Sequence, residues 1–210
     1  MVSILGARGA AALVRENTIE AFFEARRLGA DGIELDVRST SDGALVVHHD
    51  PAIAGMAEPI AATPVAELPE YVPLLAAVLD ACGDMVVNVE VKNWPHEPGF
   101  DLSGRMAARV AGAVMEQGLA TRVVISSFHL QTIDAVKAVE PSLRTALLTL
   151  TGYDQRAAVA TVVDRGHDAV HPFHEAIDAD LVAAAHDAGL TVAAWTVADR
   201  GAMVALVGVG

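Results

Sequence analysis

The sequence predicts an α/β fold, a (β/α)8 barrel of the TIM type, and three observations carry that prediction. Short apolar runs alternate with helix-period stripes along the chain. Three of the stripes close on a glycine just before the next apolar run, at Gly29, Gly118 and Gly189, the punctuation of repeated βα units. Charged residues, scarce inside the apolar runs, gather where those runs end, which in such a barrel is where active sites form. A chain of 210 residues suits one barrel domain spanning 1–210, since a single large core is well within reach at that length.

Taken in order, the expected strands are 2–7, 32–37, 44–49, 86–92, 122–127, 144–149, 168–171 and 191–197. The first helix is marked by Asn17 as a cap, Glu20 three residues later and Gly29 past the last turn. Residues 38–43 are too few for a crossover helix, so one unit is irregular, lacking a helix between strands two and three. Residues 51–73, with Pro51, Pro59, Pro64, Pro69 and Pro73, read as a loop over the barrel end. The run Met85-Val86-Val87-Asn88-Val89 suits a parallel strand covered on both faces. Leu102, Met106, Val110 and Val114 form one helical stripe, Leu130, Ile133 and Val136 a second before Pro141, and Leu181, Val182 and Ala185 a third.

Composition narrows the function. A formal charge of −13 argues against nucleic acid and anionic membrane surfaces as partners. Apolar residues make up 53 % of the chain, yet no run approaches the roughly 18 residues of a membrane span, so no stable membrane insertion is expected. Met1-Val2-Ser3-Ile4-Leu5 has no basic region of the kind that opens a secretory leader. Lone Cys82 cannot form an intrachain disulfide. A cytoplasmic protein is the expectation.

The stretch 30–50 carries the most chemistry. Strand alternation sends Glu34 and Asp36 to one face while Ile33, Leu35 and Val37 take the other. Two carboxylates on one face of a buried strand are costly without a positive partner. One reading is an ion-paired structural cluster. The other adds Glu90 and makes an all-oxygen site for a hard divalent cation, Mg²⁺ or Ca²⁺ rather than zinc. Arg8 and Lys92 then suit an anionic substrate, phosphate being the natural candidate. His49 ends the next apolar run with a side chain that titrates near neutrality.

These residues lie in motifs that resemble the glycerophosphodiester phosphodiesterase family, among the phospholipase C-like barrels. The matching pieces are RGA and RENT (8–10, 15–18), GADGIELDV (29–37), DGALVVHHDP (42–51), VNVEVKN (87–93), VISSF (124–128) and AGLTVAAWTV (188–197), in family order. The resemblance implies metal ligation by Glu34, Asp36 and Glu90, phosphate contacts from Arg8 and Lys92, acid–base catalysis by His49, and a substrate pocket near Phe128 and Trp195. It further implies a small-molecule substrate, a glycerophosphodiester cleaved to sn-glycerol 3-phosphate and an alcohol. In the family mechanism a glycerol hydroxyl attacks phosphorus, and water then opens the cyclic phosphate. Lysophospholipase D-type cleavage is a variant that would need a wide apolar groove.

One position departs from the pattern. Family members begin the first motif His-Arg-Gly, with that histidine as the second acid–base group; here it is Ala7, and no histidine precedes His48. The surrounding motif residues are intact, so Ala7 reads either as an inactivating change that would trap a ligand or as the mark of a natural, non-catalytic phosphodiester-binding protein. Family members also continue for a short segment beyond the equivalent of Gly210, so an omitted C-terminal piece is an expectation. His171 and His174 lie near a strand end, where they either line the pocket or, as expected, pack in loops, and Trp195 is either a core aromatic or a substrate contact.

Overall fold

The computed structural model describes residues 2–210; Met1, the first residue of the segment read for a leader, lies outside the described residues. The strands are β1 (Leu5–Ala7), β2 (Gly32–Ser39), β3 (Leu45–Val47), β4 (Val86–Val91), β5 (Val123–Ser127), β6 (Arg144–Thr149), β7 (Ala169–Pro172) and β8 (Thr191–Val192). The helices are α1 (Ile19–Arg27), α2 (Leu75–Ala81), α3 (Arg105–Glu116), α4 (Leu130–Val139), α5 (Gln155–Asp164), α6 (Ala179–Asp187) and α7 (Arg200–Val209). Hydrogen-bonded neighbours run β1-β2-β4-β5-β6-β7-β8, all parallel, in a curled sheet with helices on its outer face. The α/β barrel class is the one expected. Among the described residues, no helix is long and apolar enough to cross a membrane.

The strand count is reached differently from the expectation. β3 is no wall strand: it folds back antiparallel on β2, pairing Val37 with Val47 and Ser39 with Leu45. A connection as short as 38–43 can only make a hairpin, so the wall has seven parallel strands with β3 as an appendage. At its two ends the ladder stops at β1 and β8, which do not pair with each other among the described residues. Residues 51–73 contain two short 3₁₀ turns and cover a small cluster of Val46, Ile53, Ile60 and Val72.

Alternation sorts each wall strand between two environments. Ile33, Leu35, Val37, Val87, Val89 and Val91 are at most 1 % exposed and pack outward with Phe22 of α1, Leu79 of α2 and Val110 of α3. A second cluster joins Leu147 and Val170 to Ile133, Val162 and Leu181 of α4–α6. Each such fully buried side chain contributes about 1.5–3 kcal/mol. Glu34, Asp36, Asn88, Glu90 and Ser126, on the alternate positions, face the barrel interior.

Two helix starts differ from the expectation. Thr18, not Asn17, caps α1, its hydroxyl accepting from the Ala21 amide. Leu102 lies ahead of α3 and is 82 % exposed, because the Asp101 carboxylate accepts from the Met106 and Ser103 amides and so fixes the helix start downstream. Trp195 falls outside the short β8 and pairs with Phe173 in an isolated parallel bridge.

Candidate active site

Sheet register assembles the carboxylates. Ala7 is level with Glu34 across β1–β2, and Asp36 with Glu90 across β2–β4. One oxygen from each of Glu34, Asp36 and Glu90 lies within 4.8 Å of the other two. Burial, and then the neighbouring Asp36 and Glu90 charges, push the Glu34 carboxyl well above the usual carboxylate range. Burial also raises Glu90, opposed by the Lys92 ammonium beside it.

The two cations expected from the sequence are in place. Lys92 Nζ lies 2.8 Å from Glu90 Oε1 and 3.6 Å from Asp36 Oδ1. Arg8 Nε is 3.4 Å from Asp36 Oδ2, its Nη1 is 3.1 Å from Glu16 Oε2, and its backbone N–H donates to Glu34 Oε2 at 3.0 Å. The Arg8 side chain stays about one-third exposed, so part of the guanidinium faces the open end of the barrel.

His49 comes from the segment after β3. Its Nδ1 is 2.7 Å from Asp50 Oδ1, leaving Nε2 as the nitrogen free for proton exchange. Arg38, a residue that sequence reasoning passed over, holds the His49 backbone: Nε and Nη2 both donate to its carbonyl, at 2.8 and 2.5 Å, while Nη1 pairs with Glu97 at 2.8 Å. Asn17 was missed as well, having been assigned to the cap; its buried amide reaches Asp36. Ala7 shares the face of Glu34, since a side chain on its neighbour Gly6 would point the other way, onto Ala25 of α1.

Phe128 and Trp195 belong to one aromatic wall. Phe128 lies 4.8 Å from Trp94 and 5.2 Å from Trp195, which is 5.4 Å from Phe173. Trp195 Nε1 donates to the His171 carbonyl at 2.8 Å. His171 is not in a loop: it is a buried residue of β7, on the interior face opposite Val170. His174 follows the expectation of a packed loop residue, stacking on Phe173 in a 3₁₀ turn.

The donor set fits a divalent cation. Three carboxylates share two side-chain cations, one of which, Arg8, also pairs with Glu16, so the buried cluster is short of positive charge. All the ligand atoms are oxygens, as Mg²⁺ and Ca²⁺ require. Asn88, level with Glu34 on the neighbouring strand, has a buried Oδ1 with no hydrogen-bond partner.

Fold and rim together define an α/β barrel with carboxylates and cations converging at the C-terminal ends of the strands, the place where barrel enzymes hold their chemistry. The family model for the glycerophosphoryl diester phosphodiesterase family matches residues 8–210, and the chain belongs to that family. A glycerophosphodiester phosphodiesterase of Caldanaerobacter subterraneus is 32 % identical over 213 aligned positions, covering 92 % of this chain and 85 % of the relative. The glycerophosphodiester phosphodiesterase of Thermotoga maritima superposes with a TM-score of 0.84 at 25 % identity, covering 100 % of this chain and 92 % of that one. An Oleispira antarctica phosphodiesterase, solved with its product sn-glycerol-3-phosphate, shares the fold with a TM-score of 0.88 at 21 % identity, over 100 % and 90 % of the two chains.

Proposed function

We propose that this chain is a divalent-cation-dependent glycerophosphodiester phosphodiesterase whose turnover is limited at Ala7. The observation that carries the reading is the convergence of Glu34, Asp36 and Glu90 within 4.8 Å, flanked by Arg8 and Lys92. The three carboxylates would hold Mg²⁺ or Ca²⁺, which when bound supplies Lewis-acid polarisation of a phosphoryl oxygen. Arg8, with its exposed guanidinium edge, and Lys92 bind the remaining phosphate charge. Phe128 and Trp195 form an apolar wall against which the carbon skeleton of the substrate packs.

His49 exchanges the proton at Nε2, with Asp50 fixing the tautomer through Nδ1. Cleavage of a phosphodiester needs one group to take a proton from the attacking hydroxyl and another to give one to the departing alcohol. His49 serves one of these transfers. Ala7 offers nothing for the other, although it lies level with Glu34 at the rim. That same alanine favours a second reading, a protein that binds glycerophosphodiesters without cleaving them.

The deciding assay follows release of sn-glycerol 3-phosphate from glycerophosphocholine and glycerophosphoethanolamine, with Mg²⁺ or Ca²⁺. Ala7→His should raise the rate about 10²–10⁴-fold, the worth of one positioned acid–base group. The gain should vanish with chelator or with His49→Ala. An Ala7→His protein that binds cation yet stays inert would overturn the enzymatic reading and favour the binding one.

A further inference from the structure

Asn17 stands at the centre of the rim without a part in the chemistry above. It is 3 % exposed and sits in the left-handed region at φ 55°, a conformation rare for residues other than glycine, though asparagine tolerates it better than most. Because Thr18 takes over the capping of α1, the Asn17 side chain is released to the site. Its Nδ2 donates to Asp36 Oδ2 at 2.8 Å, and its Oδ1 accepts from the Asp36 backbone N–H at 3.4 Å. Its own N–H donates to the Arg8 carbonyl at 3.0 Å. Arg8 is the other non-glycine residue at positive φ among the described residues, at 54°, and its Nε lies 3.4 Å from the same Oδ2.

We infer that Asn17 is a positioning residue that decides which oxygen of Asp36 is offered to a cation. Oδ2 is engaged by Asn17 and Arg8, whereas Oδ1 is turned toward Lys92 and has no donor closer than its Nζ at 3.6 Å. With Oδ2 tied and the backbone N–H held by the same amide, the carboxylate is restrained, and Oδ1 is left on the side of Lys92 and its partner Glu90. The Asn17 backbone, bonded to Arg8, places the phosphate-facing arginine in the same frame. Strained backbone at two linked residues beside a site is the usual signature of such pre-organisation. The inference rests on the reading of Glu34, Asp36 and Glu90 as cation ligands.

The test separates the amide from the backbone. Asn17→Gly keeps the left-handed conformation and removes the amide; Asn17→Ala removes the amide and adds backbone strain. Mg²⁺ and Ca²⁺ affinities are measured by calorimetry on the folded full chain, beside the melting temperature of the cation-free protein, with Glu34→Gln as control. Both Asn17 variants should bind cation about 10–100-fold more weakly, the usual cost of losing a partner behind a metal ligand, and Asn17→Ala alone should also melt clearly lower. A residue that only anchors the loop would give the same melting order with unchanged affinity. If Glu34→Gln abolishes binding while Asn17→Gly or the folded fraction of Asn17→Ala binds as the parent does, the inference fails and the carboxylate site stands. If the parent does not bind cation, or Glu34→Gln binds as well as the parent, the carboxylate reading fails and this inference with it.

Discussion

Glu34 carries the conflict at the heart of the rim. Its carboxyl titrates above the usual range because burial, Asp36 and Glu90 all oppose its charge. A carboxyl pKa raised on folding means that its contribution to stability is full below the unfolded value and is lost as pH climbs through the folded one. The cation-free protein should therefore lose stability as pH rises above the ordinary glutamate value, and Glu34→Gln should flatten that loss in urea melts taken across pH. An unchanged loss in the variant would show that the Glu34 charge is already compensated. At this scale the sequence was informative where neighbours in space are neighbours in a strand. Glu34 and Asp36 are two apart, as are Glu90 and Lys92, and alternation alone puts each pair on one face. Asn17 and Arg38 were illegible because their partners are distant: Asp36 is 19 residues from Asn17, and Glu97 is 59 from Arg38. No local pattern announces such bonds, and Asn17 imitated a cap one position early.

At the scale of elements, the turn from β1 into α1 is a tight joint. Gly9 has φ 81°, and a methyl placed there would meet the Ala21 backbone at 2.6 Å. Two penalties add: an unfavourable left-handed alanine and a collision with the first turn of α1. Gly9→Ala should cost more than about 1 kcal/mol in denaturant unfolding, and it should also weaken inorganic phosphate binding because Arg8 is the adjacent residue. Unchanged stability would mean that α1 can slide away from the sheet at no cost. Glycine punctuation, apolar alternation and stripe spacing made most strands and several helices legible. β3 was located but its direction was not, because an apolar run reads the same whichever way it pairs. The start of α3 was misplaced for a related reason: Leu102 fits the helical period, and only the Asp101 side chain, bonded to amides up to five residues ahead, decides that the helix begins later.

The whole molecule responds to acid through a group buried inside the barrel. Burial lowers His171 to about 4 from its usual 6.5. A depressed histidine is neutral in the folded chain while the unfolded chain takes up the proton first, so stability drains away as pH falls from the unfolded value toward the folded one. The difference amounts to about 3 kcal/mol across that window. His171→Gln should therefore resist acid unfolding better than the parent between those two values, with the curves running parallel above neutrality. Glu34 acts in the opposite direction, so the comparison must be between variant and parent rather than read from one curve. An identical acid slope in both proteins would show that water reaches His171. The sequence placed this histidine at the end of its strand, 168–171, but a strand end alone does not say that the barrel closes over the side chain.

The hairpin that replaces a crossover helix puts His49 on a different support from Glu34, Asp36 and Glu90, which lie on wall strands. β2 and β4 are braced on both sides by parallel neighbours, while β3 has a strand partner on one side alone, β2, and is otherwise held by a Val46–Leu74 bridge, an amide contact from Val47 to Pro73, packing of Val46 and Val47, and the Arg38 fork on His49. Parts of a protein with fewer cross-links open at lower free energy than its core. In native-state hydrogen exchange, the amides of Val46 and Val47 should thus lose protection well before those of Val87 and Val89. Arg38→Met should widen that interval without loosening the wall. On the proposed function, the barrel wall would then be the fixed part of the site, while His49 would ride on the segment that opens more readily.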